Sequence, residues 1–255
     1  MNRQQPRILV AAALGRIVEP ILNDGIEGAE VVLAACPDAV RRAVEGRLRF
    51  DVVLADLLWN DRRLERNFDG LDVLDTLREL RRSAPAIMAA EGNDTERDFL
   101  DEASVRPDVV GVVHKSRGPA DLVEAVRLAS TGRRLPPLRF PTGVDGTKPT
   151  LHDYFGSGRR GATCARMAGA IAAGRATDYR SLHEAAHVPL NTANKLVGYL
   201  GPLIVARGEH PSHLPMNCQA VFRWCGRHEH YILSWCRRYG HPDATEPTTA
   251  TAEPA

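Results

Sequence analysis

Short apolar runs alternate with amphipathic stretches through the first 130 residues. Ile8 to Ala13 is apolar and predicts a buried strand. Ile17, Val18, Ile21 and Leu22 follow at helical spacing. Ala29 to Ala34 is again strand-like, and Asp38 to Gly46 reads as a helix that ends at its glycine. Asp51 to Asp56 predicts a third strand. Gly70 to Arg82 follows as a helix with Leu71, Leu74, Leu77 and Leu80 at about its pitch. Ala86 to Ala90 and Val109 to Val113 complete five strands. Helices are predicted over Asp94–Ala103 and Pro119–Thr131.

Five strands apolar on both faces, each followed by a helix, predict an α/β fold with an open parallel sheet. Functional groups in such sheets gather at the carboxyl ends of the strands. There the chain places Ala12 and Ala13 after the first strand, Asp56 after the third, Ala90 after the fourth and Lys115 after the fifth.

These positions carry a resemblance. Asp51 to Asp56 followed by Asp69 to Leu74 resembles the phosphoacceptor strand and next helix of a response-regulator receiver domain. Val112 to Ser116 followed by Pro119 to Val126 resembles the fifth strand and last helix of NarL/FixJ-type receivers. The resemblance implies a five-stranded, flavodoxin-like receiver fold, with Asp56 as the acceptor and Lys115 as its partner. It also implies acids after the first strand to hold Mg²⁺ and a hydroxyl after the fourth. Here Ala12, Ala13 and Ala90 stand instead, and a methyl group neither binds a hard cation nor bonds a phosphoryl oxygen. Glu91 returns at most one carboxylate. Asp56 and Lys115 are therefore expected to be a vestigial ion pair in an atypical receiver. A small-molecule effector or constitutive dimerisation would then set its state. The loop between Asp56 and Asp69 is longer than in the family and Arg-rich (Arg62, Arg63, Arg66).

The second half is patterned differently. Arg133 to Thr150 is rich in Pro and Gly and reads as a linker. Ala162 to Ala173 predicts a helix stopped by Gly174, and Asp178 or Ser181 caps the next, which carries Leu182, Ala185 and Ala186. After a turn at His187-Val188-Pro189, a helix is predicted over Asn191–Leu200. Ala193, Leu196, Val197 and Leu200 lie on one face, and Asn191, Thr192, Asn194, Lys195 and Tyr199 on the other. Gly201-Pro202 is expected to break the chain, leaving Leu203 to Ala206 as a last helix or the strand of a wing. Met216 to Tyr239 predicts one long helix or a pair.

Helix, tight turn and polar-faced helix is the plan of a helix-turn-helix. The segments Ala170–Gly174 and Leu182–Ala193 resemble the output domain that follows NarL-type receivers. Asn, Lys and Thr on a second helix suit base edges and phosphates of double-stranded DNA. Arg159, Arg160 and Arg180 are candidate phosphate contacts. The alternative for the same pattern is a plain helical interaction domain.

Charge separates the halves. The chain of 255 residues carries a formal net charge of +1, but the count is −3 to Arg134, +7 from Leu135 to Gly240, and −3 in the tail. A basic module fits nucleic acid, though a solvated surface gives the same count. The five cysteines make an odd, sparse set that argues against a disulfide framework. Cys225-x-x-His228 alone is a poor zinc signature, so no metal and no cofactor are expected. No apolar run approaches the roughly 18 residues of a membrane span, and the N-terminus lacks a signal-peptide pattern, which predicts a cytoplasmic protein. The expected organisation is a receiver-like domain over 1–132, a linker over 133–150, a helix-turn-helix domain with a helical extension over 151–240 and a disordered tail over 241–255. The expected function is a dimeric DNA-binding transcriptional regulator without enzymatic activity that works without Asp phosphorylation. The alternatives are a phosphorylation-dependent two-component regulator and a ligand-sensing adaptor that does not bind DNA.

Overall fold

The computed structural model describes residues 5–46, 49–59, 64, 67–136 and 148–241. Most of the expected linker (137–147), nearly all of the tail (242–255) and Arg62, Arg63 and Arg66 lie outside the described residues. The chain divides into two compact units, Met1–Gly143 and Val144–Ala255.

The first unit runs β1 (Arg7–Ala11), α1 (Gly15–Gly25), β2 (Glu30–Ala34), α2 (Pro37–Glu45), β3 (Val52–Asp56), α3 (Gly70–Glu79), β4 (Ala86–Ala90), α4 (Arg97–Val105), β5 (Val109–His114) and α5 (Pro119–Ser130). All strand pairs are parallel, in the order β2-β1-β3-β4-β5. This is the flavodoxin-like doubly wound order, with its switch point between β1 and β3. Alternate residues of the central strands face opposite layers. Ile8, Val10, Leu54 and Ile87 join Leu22 of α1 and Val126 and Ala129 of α5 in one buried cluster.

Met88, on the opposite face, reaches the start of α3. A Cβ at Gly70 would lie 2.6 Å from the Asp56 carbonyl oxygen, so only glycine lets α3 begin this close behind β3. The buried Asp69 caps α3, accepting from the Leu71 and Asp72 amides, while Asp72 accepts from the Asp69 amide. The helix expected from Asp94 opens instead as a 3-10 turn over Asp94–Glu96. There the buried Glu96 carboxylate collects the amides of Glu91, Gly92 and Asn93.

Among its described residues the second unit's regular elements are all helices: α6 (Leu151–Gly156), α7 (Gly158–Ala172), α8 (Tyr179–Ala185), α9 (Leu190–Ala193), α10 (Leu196–Ala206), α11 (Cys218–Arg227) and α12 (Glu229–Arg238). The wing strand considered for Leu203–Ala206 is absent; that segment continues α10. α7 is the central post, and α6, α8, α10, α11 and α12 pack on it. Its small residues, Ala165, Ala168, Gly169 and Ala172, allow close approach, and Cys236 of α12 bonds the Ala165 carbonyl at 3.4 Å.

Two expectations need correction here. The helix predicted over Asn191–Leu200 is split: α9 ends at Ala193, Asn194 and Lys195 form a turn, and α10 begins at Leu196. Asn and Thr, weak helix formers, supply half of α9. Gly201-Pro202 does not break the chain but sits inside α10. Pro202 has no N–H for the Gly198 carbonyl four residues back. Arg160 of α7 donates to that carbonyl instead at 3.1 Å, and the Tyr154 hydroxyl donates to the neighbouring Tyr199 carbonyl at 2.5 Å. The Arg160 side chain of α7 thus fills the bond that the proline leaves open.

Candidate functional site

At the carboxyl end of the sheet, β3 delivers Asp56 and the turn after β5 delivers Lys115. Their side chains meet at 3.0 Å between Nζ and Oδ1. Lys115 Nζ also lies 3.7 Å from Glu91 Oε1, so one ammonium serves two carboxylates. Burial pushes the Asp56 carboxyl above its ordinary value. Lys115 pulls it back by charge and hydrogen bond, and Glu91 and Glu96 repel its ionised form. Ala12 lies buried just past β1, Ala13 follows it, and Ala90 ends β4 fully buried. Glu96 is committed to backbone amides. No group of three His, Cys, Asp or Glu residues able to hold a metal ion occurs among the described residues. The end of the sheet therefore presents Lys115 between Asp56 and Glu91, beside the methyl groups of Ala12 and Ala90.

A cavity of about 340 Å³ opens at this pair. Ile17, Val18 and Ile21 of α1, Leu54 of β3 and Leu122 of α5 form its walls. Ile17 follows helical periodicity in the sequence, yet it is 64% exposed and borders the cavity instead of filling the core. Nothing in the pattern of α1 announces a pocket.

In the second unit, α8 is capped by Asp178, whose carboxylate accepts from the Ser181 amide at 2.7 Å while the Ser181 hydroxyl receives the Asp178 amide. The Ser181 amide, and the Ser181 hydroxyl donating to the same oxygen at 2.8 Å, hold the Asp178 carboxyl below its ordinary value. His187 then takes φ +49°, turning the chain sharply into α9. Of the residues expected to face DNA, Asn191 lies exposed on α9, Thr192 is half-buried, and Asn194 and Lys195 lie exposed in the following turn. Tyr199 is half-buried on α10, with the Arg160 guanidinium 5.2 Å over its ring. Arg160 and Tyr199 are thus engaged with each other and hold α10 to α7. Arg159 is exposed at the start of α7, and Arg180 on α8 is 88% exposed, 3.9 Å from Glu184. The remainder of α10 carries no charged residue.

A polar cluster that the sequence did not announce ties the second unit together. Glu209 Oε1 accepts from Arg207 Nε at 3.0 Å, and its Oε2 accepts from Trp224 Nε1 at 2.6 Å and contacts His228 Nε2 at 3.1 Å. Arg207 also donates to the Pro149 carbonyl, and Arg227 to the Glu209 carbonyl. The cluster joins the segment before α6, the end of α10 and both ends of the α11–α12 corner. Cys225, Cys236 and Cys164 are buried free thiols, and burial pushes Cys236 up to about 12 and Cys164 up to about 11.

No family model and no curated protein matches this chain. Among solved structures it is similar to RcsB in a structure of two RcsB dimers bound to two parallel DNAs. That likeness has 16% identity and a TM-score of 0.49, over 88% of this chain and 99% of that one. It is similar to Salmonella typhimurium RcsB at 17% identity and a TM-score of 0.42, over 88% and 98% of the chains. A CheY-like receiver domain from Methanospirillum hungatei is similar at 21% identity and a TM-score of 0.40, over 51% of this chain and 96% of that one. At such identities and scores these likenesses say nothing about chemistry. No helix among the described residues is long and apolar enough to cross a membrane.

Proposed function

We propose that this chain is a DNA-binding transcriptional regulator whose first unit works without phosphorylation of Asp56. One observation carries the first half of this reading: the capped α8, the tight turn at His187 and the short α9 form a helical corner that exposes Asn191, Asn194 and Lys195. Arg180 and Arg159 add exposed positive charge for phosphates. Tyr199 and Arg160 leave the reading set, because they are spent on each other. The second half rests on Ala12, Ala13 and Ala90 around an acceptor already paired with Lys115. The protein acts as a dimer, since one short reading corner covers too few bases, and it has no enzymatic activity of its own.

The test is titration on a duplex recovered by selection from random DNA, at two salt concentrations. Lys195→Ala weakens binding equally on all sequences and lowers the salt slope by about one. Asn194→Ala costs about 1–3 kcal/mol on the selected site and little on scrambled DNA. Asp56→Asn leaves both affinities unchanged, and acetyl phosphate with Mg²⁺ adds no mass to Asp56. The second reading is a helical interaction module, favoured by an α10 without charge and by exposed Val205 and Leu190. Failure to enrich any sequence in the selection, with no salt-dependent binding to random duplex, selects that reading.

A further inference from the structure

We propose that Tyr154 and Arg160 are positioning residues for DNA reading: from the α6–α7 corner they hold the first turn of α10, and through it they set where Asn194 meets a base edge. The proposal rests on the reading of the α8–α9 corner and its following turn as a DNA-binding surface. Asn194 and Lys195 form the turn that leads into α10, and Lys195 is the cap residue of that helix. Two consecutive bonds tie this turn to α6. The Tyr199 amide donates to the Lys195 carbonyl at 3.1 Å, and the Tyr199 carbonyl accepts from the Tyr154 hydroxyl at 2.5 Å. The Cys164 thiol of α7 lies 3.9 Å from the same carbonyl. Arg160 takes the carbonyl before it, donating to Gly198 at 3.1 Å with its guanidinium 5.2 Å over the Tyr199 ring. Three side chains of α6 and α7 therefore surround two successive carbonyls of one helical turn, directly after the residues that would touch DNA.

The sequence of this segment explains why the turn needs holding. α9 is only four residues long, Gly198 adds backbone freedom, and Pro202 offers no N–H to the Gly198 carbonyl. An Asn that reads a base edge makes two directed bonds, so a small displacement of its backbone forfeits the contact. The α6–α7 corner supplies a fixed point. Phe155 is buried edge-on against Trp235, with ring centroids 5.3 Å apart. A Cβ at Gly161 would collide with the Tyr154 and Phe155 carbonyl oxygens, so only glycine lets α7 start this close to the end of α6. Burial pushes the Tyr154 hydroxyl above its ordinary value, so at neutral pH it stays protonated and remains a donor. Arg160 is exposed and by charge alone suits a phosphate, but its bond to Gly198 and its place over Tyr199 give it to the fold of the reading turn. A phosphate contact and a positioning residue leave different marks on binding: the first changes affinity for every sequence, the second changes discrimination.

The experiment is titration of the full-length protein on the selected duplex and on a scrambled one, at two salt concentrations, with circular dichroism and thermal unfolding alongside. Tyr154→Phe removes one hydroxyl and keeps the ring. It is expected to weaken the selected duplex about fivefold and the scrambled one hardly at all, because a displaced Asn194 loses a base contact and no phosphate contact. Asn194→Ala weakens the selected duplex about tenfold. The double variant decides: if Tyr154 acts through Asn194, the loss stays at about tenfold, whereas independent effects multiply to about fiftyfold. A general loosening of the unit would weaken both duplexes together and multiply with Asn194→Ala. Arg160→Ala, at an exposed position, runs the same cycle and answers the case in which Tyr154→Phe does not fold. It is expected to lower the ratio of selected to scrambled affinity and to keep the wild-type salt slope; a slope lower by about one makes Arg160 a phosphate contact and overturns its assignment. Multiplying effects in both cycles, or wild-type discrimination in both single variants, overturns the proposal. Failure of the wild type to enrich any sequence overturns the DNA reading itself, and that result is in hand before any variant is titrated.

Discussion

Asp56 and Glu209 are both mostly buried acids beside a cation, one in each unit, with side chains 13% and 16% exposed. Burial pushes both carboxyls up, yet they end on opposite sides of their ordinary values. Glu209 ends low because hydrogen bonds from His228, Arg207 and Trp224 together outweigh its desolvation. Asp56 ends high because Lys115 alone answers it, and two nearby carboxylates oppose its charge. What separates the anchor from the open site is chiefly the number of donors gathered around the acid, with the heavier desolvation of Asp56 adding to the difference. Glu209 is saturated and holds helices together. Asp56 is left short of donors at the mouth of a cavity.

The sharpest way to break this contrast is to remove the anchor. Glu209→Ala leaves the Arg207 guanidinium, 1% exposed, without its carboxylate. It is expected to cost about 3–5 kcal/mol, as removal of one partner of a buried pair does. Urea unfolding followed by far-ultraviolet circular dichroism reads the loss; a shift below about 1 kcal/mol would mean that Glu209 anchors nothing. Trp224→Phe is smaller. It keeps the ring packing but removes one donor to a charged acceptor, at a cost of about 2 kcal/mol. The wild-type pH profile carries the same information. Glu209 has a lowered native pKa, so its contribution is full above the ordinary carboxylate value and is lost as the pH falls far below it.

The two regions were also unequally legible. Each strand of the first unit is a short apolar run, so the sheet, its helices and the placing of Asp56 and Lys115 at strand ends follow from local pattern, while their pairing was expected only from the resemblance to receivers. The cavity did not follow, because Ile17 obeys helical periodicity whether it faces core or pocket. In the second unit the capping of α8 and the turn at His187 were local signals and were readable. The fate of Pro202 was not: it depends on Arg160, about forty positions upstream, supplying a donor that no window around the proline contains. The six-residue α6 is too short to show a period. The Glu209 cluster draws partners from Pro149 to His228, and a lone Glu in an irregular segment carries no sign of them.

The smallest expected effect is the most discriminating, because its sign opposes the others. Asp56→Asn removes a carboxylate that burial disfavours and frees Lys115, which is 30% exposed and keeps Glu91 at 3.7 Å. At neutral pH the variant is expected to be as stable as the wild type or more so, by less than about 1 kcal/mol, since leaving a partly solvated ammonium is cheap. The raised native pKa sets the pH dependence. In the wild type, ionising Asp56 costs stability as the pH rises from the unfolded carboxylate value through the higher native one. The advantage of Asp56→Asn therefore grows across that window, stays level above it and vanishes in acid. Urea midpoints of both proteins, taken from below pH 4 to neutrality, measure the difference directly. A variant less stable than wild type at neutral pH would show that the bond to Lys115 outweighs the cost of burial. Asp56 would then belong with Glu209 as an anchor, and the contrast between the two acids would fail.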